Sequence, residues 1–351
     1  MKALIVSSAL VLSLLLGPAP ASAQDQMPHP WASPASKVTQ TIGITEVAVT
    51  AGRPAVKGRT IWGDVVPYGE VWRAGANENT TFSCANDITV EGKPLPAGVY
   101  GVHVIPTQTK WTVIFSRNST SWGSFTYDKA EDALRVDVTP VAVPATEWLT
   151  WEFDDLSDNG ATLRLRWEKL AVNLKLGVDT PQVVLANVRD SFLRGVNGFF
   201  WAGYEEAARY CLDHKVNLEE GLTWAERSVS IQPNFRNMWT QGGLLAALGR
   251  ADEAAAVKDR ALASAGENDL NTLGYQFLQS GKVDDALTVF KKNVDLHGAE
   301  SWNVHDSLAE CYAMKGDKAK AIEGYNKALS MTTDPAQKTR IQGELRKLGA
   351  Q

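Results

Sequence analysis

The chain has 351 residues, of which 44% are hydrophobic and 21% charged, so it is globular in composition and long enough for two ordinary domains. Its formal net charge is -5, and neither half is basic: residues 31–170 carry 13 Lys and Arg against 16 Asp and Glu, and residues 182–351 carry 20 against 22. Neither half therefore has the excess of positive charge that would attract nucleic acids or anionic membranes, and neither is expected as a partner.

The N-terminus has the pattern of a secretory signal peptide. Lys2 supplies a positive charge, Ala3 to Leu16 form a short apolar core, and Ala21-Ser22-Ala23 fits the small-residue cleavage rule. The apolar run is too short to span a bilayer, and no later segment has the required length. We therefore predict cleavage after Ala23, a tail over 24–35, and a periplasmic or secreted mature protein without a membrane span.

Residues 36–178 show the pattern of an antiparallel β-sandwich. Strands are predicted at GVYGVHVI (98–105), KWTVIFS (110–116), LRVDV (134–138), EWLTWEF (147–153) and LRLRW (163–167), with turn residues between them. In the long last strand the apolar residues, such as Leu165 and Trp167, first fall at odd-numbered positions. Further on, as at Val172 and Leu174, they fall at even-numbered positions. We predict a β-bulge near Glu168–Lys169, where the two registers meet.

Residues 182–351 carry a helical repeat. Gly249, Gly281 and Gly316 each precede an alanine by five residues, and small residues recur upstream at Gly242, Gly274 and Ala309. The glycine spacings of 32 and 35 resemble the tetratricopeptide repeat, whose period is 34. About four repeats and a C-terminal capping helix are predicted, with an unrelated helical bundle as the alternative.

Such a solenoid presents a groove to a protein or peptide partner. Trp224, Trp239 and Trp302 are candidates for that groove, with burial between helices as the more common role. Cys211 and Cys311 take equivalent positions three repeats apart, beyond disulfide reach.

The motifs of the front half resemble a known family. The runs RPAVKGRTIWGDVVPYGEVWRAGANENTT, DITVEGKPLPAGVYGVHVIP, WTVIFS and WGSFTYD occur in the order found in the bacterial exported domain-of-unknown-function family 2911, over roughly residues 30–175. In that family a tetratricopeptide tail is a familiar companion. Because the family has no established activity, the resemblance implies a fold and a compartment more than a chemistry.

The front half lacks two common catalytic motifs and has few histidines. Its mature part has two histidines, His29 and His103, and no nucleophile elbow or HExxH pair. His103 lies in a predicted central strand, where a histidine with one hydrogen-bond partner is the ordinary finding. No cofactor or metal site is predicted, and the sequence favours a non-catalytic protein over an enzyme.

The segment YGEVWRAGANENTT (68–81) is the best candidate site. As a rigid loop it would present Glu70, Arg73, Asn77 and Glu78 to a polar ligand; as a structural connection it would pair Arg73 with Asp64 or Glu70 and use Trp72 as a plug. The tryptophans in glycine-rich loops, Trp62, Trp72 and Trp122, are candidates for stacking on a glycan.

Three functions are consistent with these patterns. The first is an exported binding and scaffold protein, in which the sandwich binds a glycan or small polar ligand and the solenoid docks a partner. The second is a cell-envelope enzyme, such as a glycan hydrolase, with its site at the 68–81 loop and His103. The third is a purely structural assembly module.

Overall fold

The computed structural model describes residues 30–350, so the predicted signal peptide and residues 24–29 of the predicted tail lie outside the described residues. The chain forms two compact units. The first contains Glu46–Gly177 and the second contains the residues from Val178 onward. The fold class predicted from the sequence is confirmed: antiparallel β-sheets are followed by helices.

The front unit is built from two antiparallel sheets. Its strands are β1 (Ala35–Ile42), β2 (Thr45–Gly52), β3 (Ala76–Cys84), β4 (Ile88–Val90), β5 (Lys93–Leu95), β6 (Gly98–Pro106), β7 (Trp111–Ser116), β8 (Asp132–Val138), β9 (Val141–Ser157) and β10 (Gly160–Gly177). Six of them form one sheet in the order β1-β2-β3-β6-β7-β8, and four form the other in the order β5-β4-β10-β9. The strand over 98–105 is central, as its apolar character on both faces predicts.

The predicted bulge is confirmed in β10. The pairing with β9 shifts register on both sides of Glu168, whose φ is 55°. One added residue moves the following side chains to the other parity, so Trp167 and Val172 are both buried although their positions differ by an odd number. The long strand can therefore keep its apolar side chains in the core along its whole length.

The back unit is a stack of helical hairpins. Its helices are α1 (Thr180–Asn187), α2 (Trp201–His214), α3 (Leu218–Ile231), α4 (Phe235–Ala247), α5 (Ala251–Ala263), α6 (Glu267–Gln279), α7 (Val283–His297), α8 (Trp302–Lys315), α9 (Lys318–Met331) and α10 (Pro335–Lys347). The pairs α2–α3, α4–α5, α6–α7 and α8–α9 pack together, and α10 packs on α9. The predicted four repeats and cap are thus present, whereas the sequence does not predict α1 as a separate helix.

Glycines set the geometry of the repeats. Gly249, Gly281 and Gly316 follow the first helices of three pairs with φ of 79°, 73° and 87°, the left-handed conformation expected of helix-terminating glycines. Gly274 serves a different purpose, because a Cβ added there would lie 2.4 Å from the ring of Phe290 on the paired helix. The missing side chain lets α6 and α7 approach closely.

The three cysteines are free and buried, in agreement with the prediction that Cys211 and Cys311 are not bridged. Within residues 30–350, no helix has the length and apolarity needed to cross a membrane.

Candidate functional site

The 68–81 segment is anchored to the sandwich on both sides of residues 73–75, here called the bulge. Before the bulge, the backbone NH of Gly69 donates to Pro106 O at 2.8 Å, and Trp72 exchanges two backbone hydrogen bonds with Val104 of β6. After the bulge, Ala76 begins β3. Residues 68–71 therefore lie in a turn, Trp72 makes a single bridge to β6, and residues 73–75 lead into β3.

Hydrogen bonds from other parts of the sandwich hold the bulge. Ala74 is fully buried with a φ of 51°, and its carbonyl accepts from Trp151 Nε1 at 3.2 Å and Thr80 Oγ1 at 3.4 Å. The side chain of Asn77 donates to Ser33 O at 2.9 Å. The Asn77 amide, predicted to face a ligand, is thus engaged within the fold.

Two of the candidate tryptophans lie against the core. The ring of Trp62 lies 4.6 Å from that of Trp111 and 5.9 Å from that of Trp72, and Trp72 stacks on Trp167 at 6.0 Å. Trp111 and Trp167 are each 1% exposed. Trp62 and Trp72 are half-buried members of this cluster. For Trp72 this agrees with the structural interpretation of the loop, in which its ring packs into the sandwich as a plug. Trp122 differs from both, because 55% of it is exposed.

Arg73 projects from the bulge toward residues 122–127. Its Nη1 donates to Asn77 O, its Cζ lies 5.6 Å from the centroid of the Phe125 ring, and the guanidinium packs directly on Gly123. Among the described residues it forms no ion pair, so the predicted pairing with Asp64 or Glu70 is not present. Burial lowers the pKa of the guanidinium, because its charge is partly removed from water without a counter-ion.

His103 lies beneath the same stretch of chain. It is 2% exposed, its Nδ1 is hydrogen-bonded to Ser124 Oγ at 2.8 Å, and its ring meets the Tyr127 ring edge-on at 5.3 Å. Burial lowers the pKa of His103 to about 4, and the positive charge of Arg73 contributes in the same direction. The imidazole is therefore neutral at physiological pH, and its Nδ1 is bonded to a hydroxyl rather than to a carboxylate.

The sequence did not single out several residues that the structure brings to this place. They are Ser124, Phe125, Tyr127 and Asp132. The Tyr127 hydroxyl donates to Asp132 Oδ2 at 2.9 Å, and burial followed by this bond raises the pKa of Tyr127 to about 12. Three of the four fall within WGSFTYD, one of the motifs on which the family resemblance is based. This motif marks the segment as a family feature, but its residue types do not indicate a particular reaction or ligand.

The predicted carboxylates do not join this group through polar contacts. Asp64, Glu70 and Glu78 are exposed and, within the described part of the chain, form no ion pair or hydrogen bond with Arg73 or His103. Of the nine predicted residues, the structure links Arg73, Asn77 and His103 and places Trp122 next to the glycine that touches Arg73.

The helical unit has a pocket of its own. It has a volume of about 340 Å³ and is lined by the first helices of three successive pairs: Arg209 of α2, Phe235, Arg236 and Trp239 of α4, and Asp269, Thr272, Leu273 and Gln276 of α6. We call it the α2–α4–α6 groove. Trp239, one of the three tryptophans considered for a groove, lines it and stacks on Phe235 at 5.6 Å.

A buried carboxylate organises the arginines of this groove. Glu205 is fully buried, and its oxygens lie 2.8 Å from Arg209 Nη2 and 2.7 Å from Arg236 Nε. Thr240 Oγ1 donates to the same carboxylate at 3.0 Å. Two half-exposed guanidinium groups thus share one anion, which fixes where they point.

The fold and these sites define a two-part protein, an antiparallel β-sandwich joined to a helical-repeat domain. Residues 33–176 match the family described as protein of unknown function (DUF2911), which confirms the resemblance seen in the sequence motifs. No curated protein matches the chain.

Several solved structures are similar to this chain at low identity. The thermophilic TPR protein TTC0263 of Thermus thermophilus is 18% identical over 47% of this chain and 91% of that one, with a TM-score of 0.27. "Crystal structure of YrrB: a TPR protein with an unusual peptide-binding site" is 17% identical over 46% and 84%, with a TM-score of 0.27. "MamA 41-end from Desulfovibrio magneticus RS-1" is 17% identical over 44% and 86%, with a TM-score of 0.26.

Proposed function

We propose that this is an exported, non-catalytic binding and scaffold protein whose helical repeats dock a protein or peptide partner and whose sandwich binds a small ligand. The observation that carries this proposal is the α2–α4–α6 groove, where side chains from three successive repeats converge on one face. Consecutive repeats that align their first helices form an extended surface, and an extended peptide is the natural ligand for such a surface.

The groove chemistry indicates what kind of segment it would accept. Phe235 and Trp239 supply stacked aromatic surface, and Arg209 and Arg236 supply donors held in place by Glu205. Aromatic residues and arginine are the side chains that contribute most to binding at protein interfaces. A partner segment with an apolar side chain next to an acidic one matches this arrangement.

Selection of peptides on the full chain tests the proposal. Binding of the selected peptides is expected to fall about tenfold or more in Arg236→Ala, as is typical when a charge-assisted hydrogen bond is lost. It is also expected to fall in Thr272→Trp, which fills the groove from an exposed position. Arg260→Ala, an exposed arginine on α5, is the matched control. Equal affinity in all three variants would overturn the proposal.

The export part of the proposal rests on the sequence pattern of residues 1–23. Expression of residues 1–351 in a bacterium, followed by mass spectrometry of the mature protein, is expected to show a chain that starts at Gln24. A protein that retains Met1 and stays in the cytoplasm would contradict it.

A second candidate function, a cell-envelope hydrolase, is favoured by one observation. Ser124 Oγ lies within hydrogen-bond distance of the neutral His103, as a nucleophile and its base would. Among the contacts of His103 within the described residues, no carboxylate orients the imidazole, and Arg73 opposes the positive charge that His103 would gain as a base. Hydrolysis of a glycan or ester substrate that disappears in Ser124→Ala and Glu78→Gln would establish an enzyme in place of a binding protein.

A further inference from the structure

The guanidinium of Arg73 is held in place without a counter-ion. Burial lowers its pKa, and among residues 30–350 no carboxylate pairs with it. A partly desolvated cation with no partner is unfavourable for folding, because the protein loses hydration energy without regaining it from a charge pair. Binding of an anion from solution would supply the missing interaction.

Three contacts fix the direction of this group. Nη1 donates to Asn77 O, the Phe125 ring lies against the cation at 5.6 Å, and Gly123 packs on the guanidinium carbon. The φ of Gly123 is 67°, so the turn that brings it onto Arg73 uses a conformation that glycine adopts readily. Within the described residues, Nε and Nη2 have no hydrogen-bond acceptor, so the N–H groups of these two nitrogens form a pre-oriented fork without a partner.

The surroundings of Arg73 are aromatic and open. Phe125 is 81% exposed and Trp122 is 55% exposed, and both belong to the turn around Gly123. Exposed aromatic side chains in the turn that packs on a charged group favour a ligand site. A flat apolar group can pack on these rings while its charged end reaches the arginine.

We propose that Arg73, Phe125 and Trp122 form an oxyanion-binding site, here called the Arg73 site. Its ligand is a small molecule in which a carboxylate or phosphate monoester is joined to a flat apolar group. The oxyanion accepts from Nε and Nη2 of Arg73, and the flat group packs on the two aromatic rings. The Arg73 site rests on the proposed ligand-binding role of the sandwich and is independent of the α2–α4–α6 groove.

Matched probes test the Arg73 site on the full mature chain. Benzoate and benzamide have the same shape and differ in charge, and phenyl phosphate distinguishes a phosphate ligand from a carboxylate ligand. Titrations to millimolar concentration, followed by the indole resonances of ¹⁵N-labelled tryptophan, are expected to shift the Trp122 signal with benzoate or phenyl phosphate and to leave it unchanged with benzamide.

Substitutions at Arg73 complete the experiment. Arg73→Gln is expected to weaken binding of the charged probe about tenfold or more, and Arg73→Lys, which keeps the charge but loses the fork, to weaken it less. Lys129→Gln removes the same charge from an exposed position on the neighbouring stretch of chain and is expected to bind as the wild type does.

Two outcomes would overturn the Arg73 site. One is equal binding of benzamide, which would mean that only apolar surface is recognised; the other is no binding of any probe by a wild-type protein whose spectrum shows it to be folded. Peptide binding by the α2–α4–α6 groove is measured separately, so its failure and the failure of the Arg73 site are distinguishable.

Discussion

Folding changes the acid–base chemistry of His103 close to neutral pH. In an unfolded chain its pKa is near 6.5, and in the folded sandwich burial lowers it to about 4. The folded state therefore binds fewer protons than the unfolded state between these two values. Since stability rises with pH wherever the unfolded state binds more protons, His103 favours folding fully above pH 6.5 and progressively less as the pH falls toward 4.

This difference predicts a measurable loss of stability in mild acid. At about 1.4 kcal/mol per pKa unit, the contribution of His103 to the free energy of unfolding should decrease by about 3 kcal/mol between neutral pH and pH 4. Urea unfolding at several pH values measures it, and His103→Gln should show a shallower dependence over the same range. The same slope in both proteins would contradict the prediction.

Gly123 is expected to control the position of Arg73. Gly123→Ala places a Cβ in a left-handed conformation, at a cost of about 1–2 kcal/mol, and puts that carbon 2.8 Å from Arg73 Cζ. The arginine side chain must then move, so binding of the charged probe should fall along with stability.

Gly58→Ala is the matched control for this substitution. Gly58 has a φ of 69° and nothing within 4 Å of an added Cβ, so the backbone cost is similar and Arg73 is undisturbed. Denaturant unfolding and probe titration of both variants separate the two effects. Equal probe binding in the two variants would show that Gly123 does not position Arg73.

At the scale of the helices, the distance between two paired helices depends on single small residues at their contact. Alanine normally stabilises a helix interior relative to glycine by about 0.5–1 kcal/mol. In Gly274→Ala the added methyl would meet the fully buried ring of Phe290, so we expect a loss of about 1–3 kcal/mol instead.

Gly343→Ala in α10 provides the comparison, because nothing lies within 4 Å of the Cβ it adds. This variant should be more stable than the wild type, and Gly274→Ala less stable, in the same urea unfolding experiment. If both variants gained stability, the close approach of α6 and α7 would be refuted.

The buried Glu205 makes α2 and α4 dependent on each other. Removing both arginines, in the double variant Arg209→Met with Arg236→Met, would leave a carboxylate buried without a cation. A loss of about 3–5 kcal/mol in the free energy of unfolding is expected.

Arg250→Met is the control for the double variant, because it breaks the exposed Arg250–Glu253 ion pair and should change stability little. Chemical denaturation compares the two. A double variant as stable as the control would contradict the prediction that Arg209 and Arg236 compensate the buried charge of Glu205.

At the scale of the whole molecule, the three thiols are expected to be unreactive in the native state. Cys84 is 4% exposed and Cys211 and Cys311 are fully buried, and burial raises the pKa of all three, that of Cys211 to about 11. A thiol reagent should label none of them in the folded protein and all three after denaturation, and a reductant should not change the melting temperature. Rapid labelling of the native chain would contradict the burial of these residues.

At the same scale, much of the fold was predictable from the sequence because its signals are local. The bulge at Glu168 follows from a change of parity within one strand, and the repeats follow from glycines at a regular spacing. The helix α1 is not predicted because its eight residues are too few to establish a helical period.

The site was predicted less completely than the fold. The residue types of Arg73 and His103 mark them as candidates in the sequence. Ser124, Phe125 and Tyr127 are not predicted, because the identity of a serine or an aromatic residue does not indicate which strand it will pack against. Trp62 and Trp72 have the same local context as Trp122, but the first two pack on core tryptophans and the third is exposed.

The sequence by itself determined that the chain has two unlike halves, a sandwich of alternating strands and a solenoid of helical pairs, since periodicity and turn residues act over a few positions. The tertiary structure decided which polar groups meet. Arg73 reaches Phe125 and Gly123 across about fifty positions of sequence, and Glu205 reaches Arg236 from another helix. Such contacts depend on packing geometry, and they distinguish an unpaired guanidinium beside exposed aromatic rings from an arginine in an ordinary ion pair.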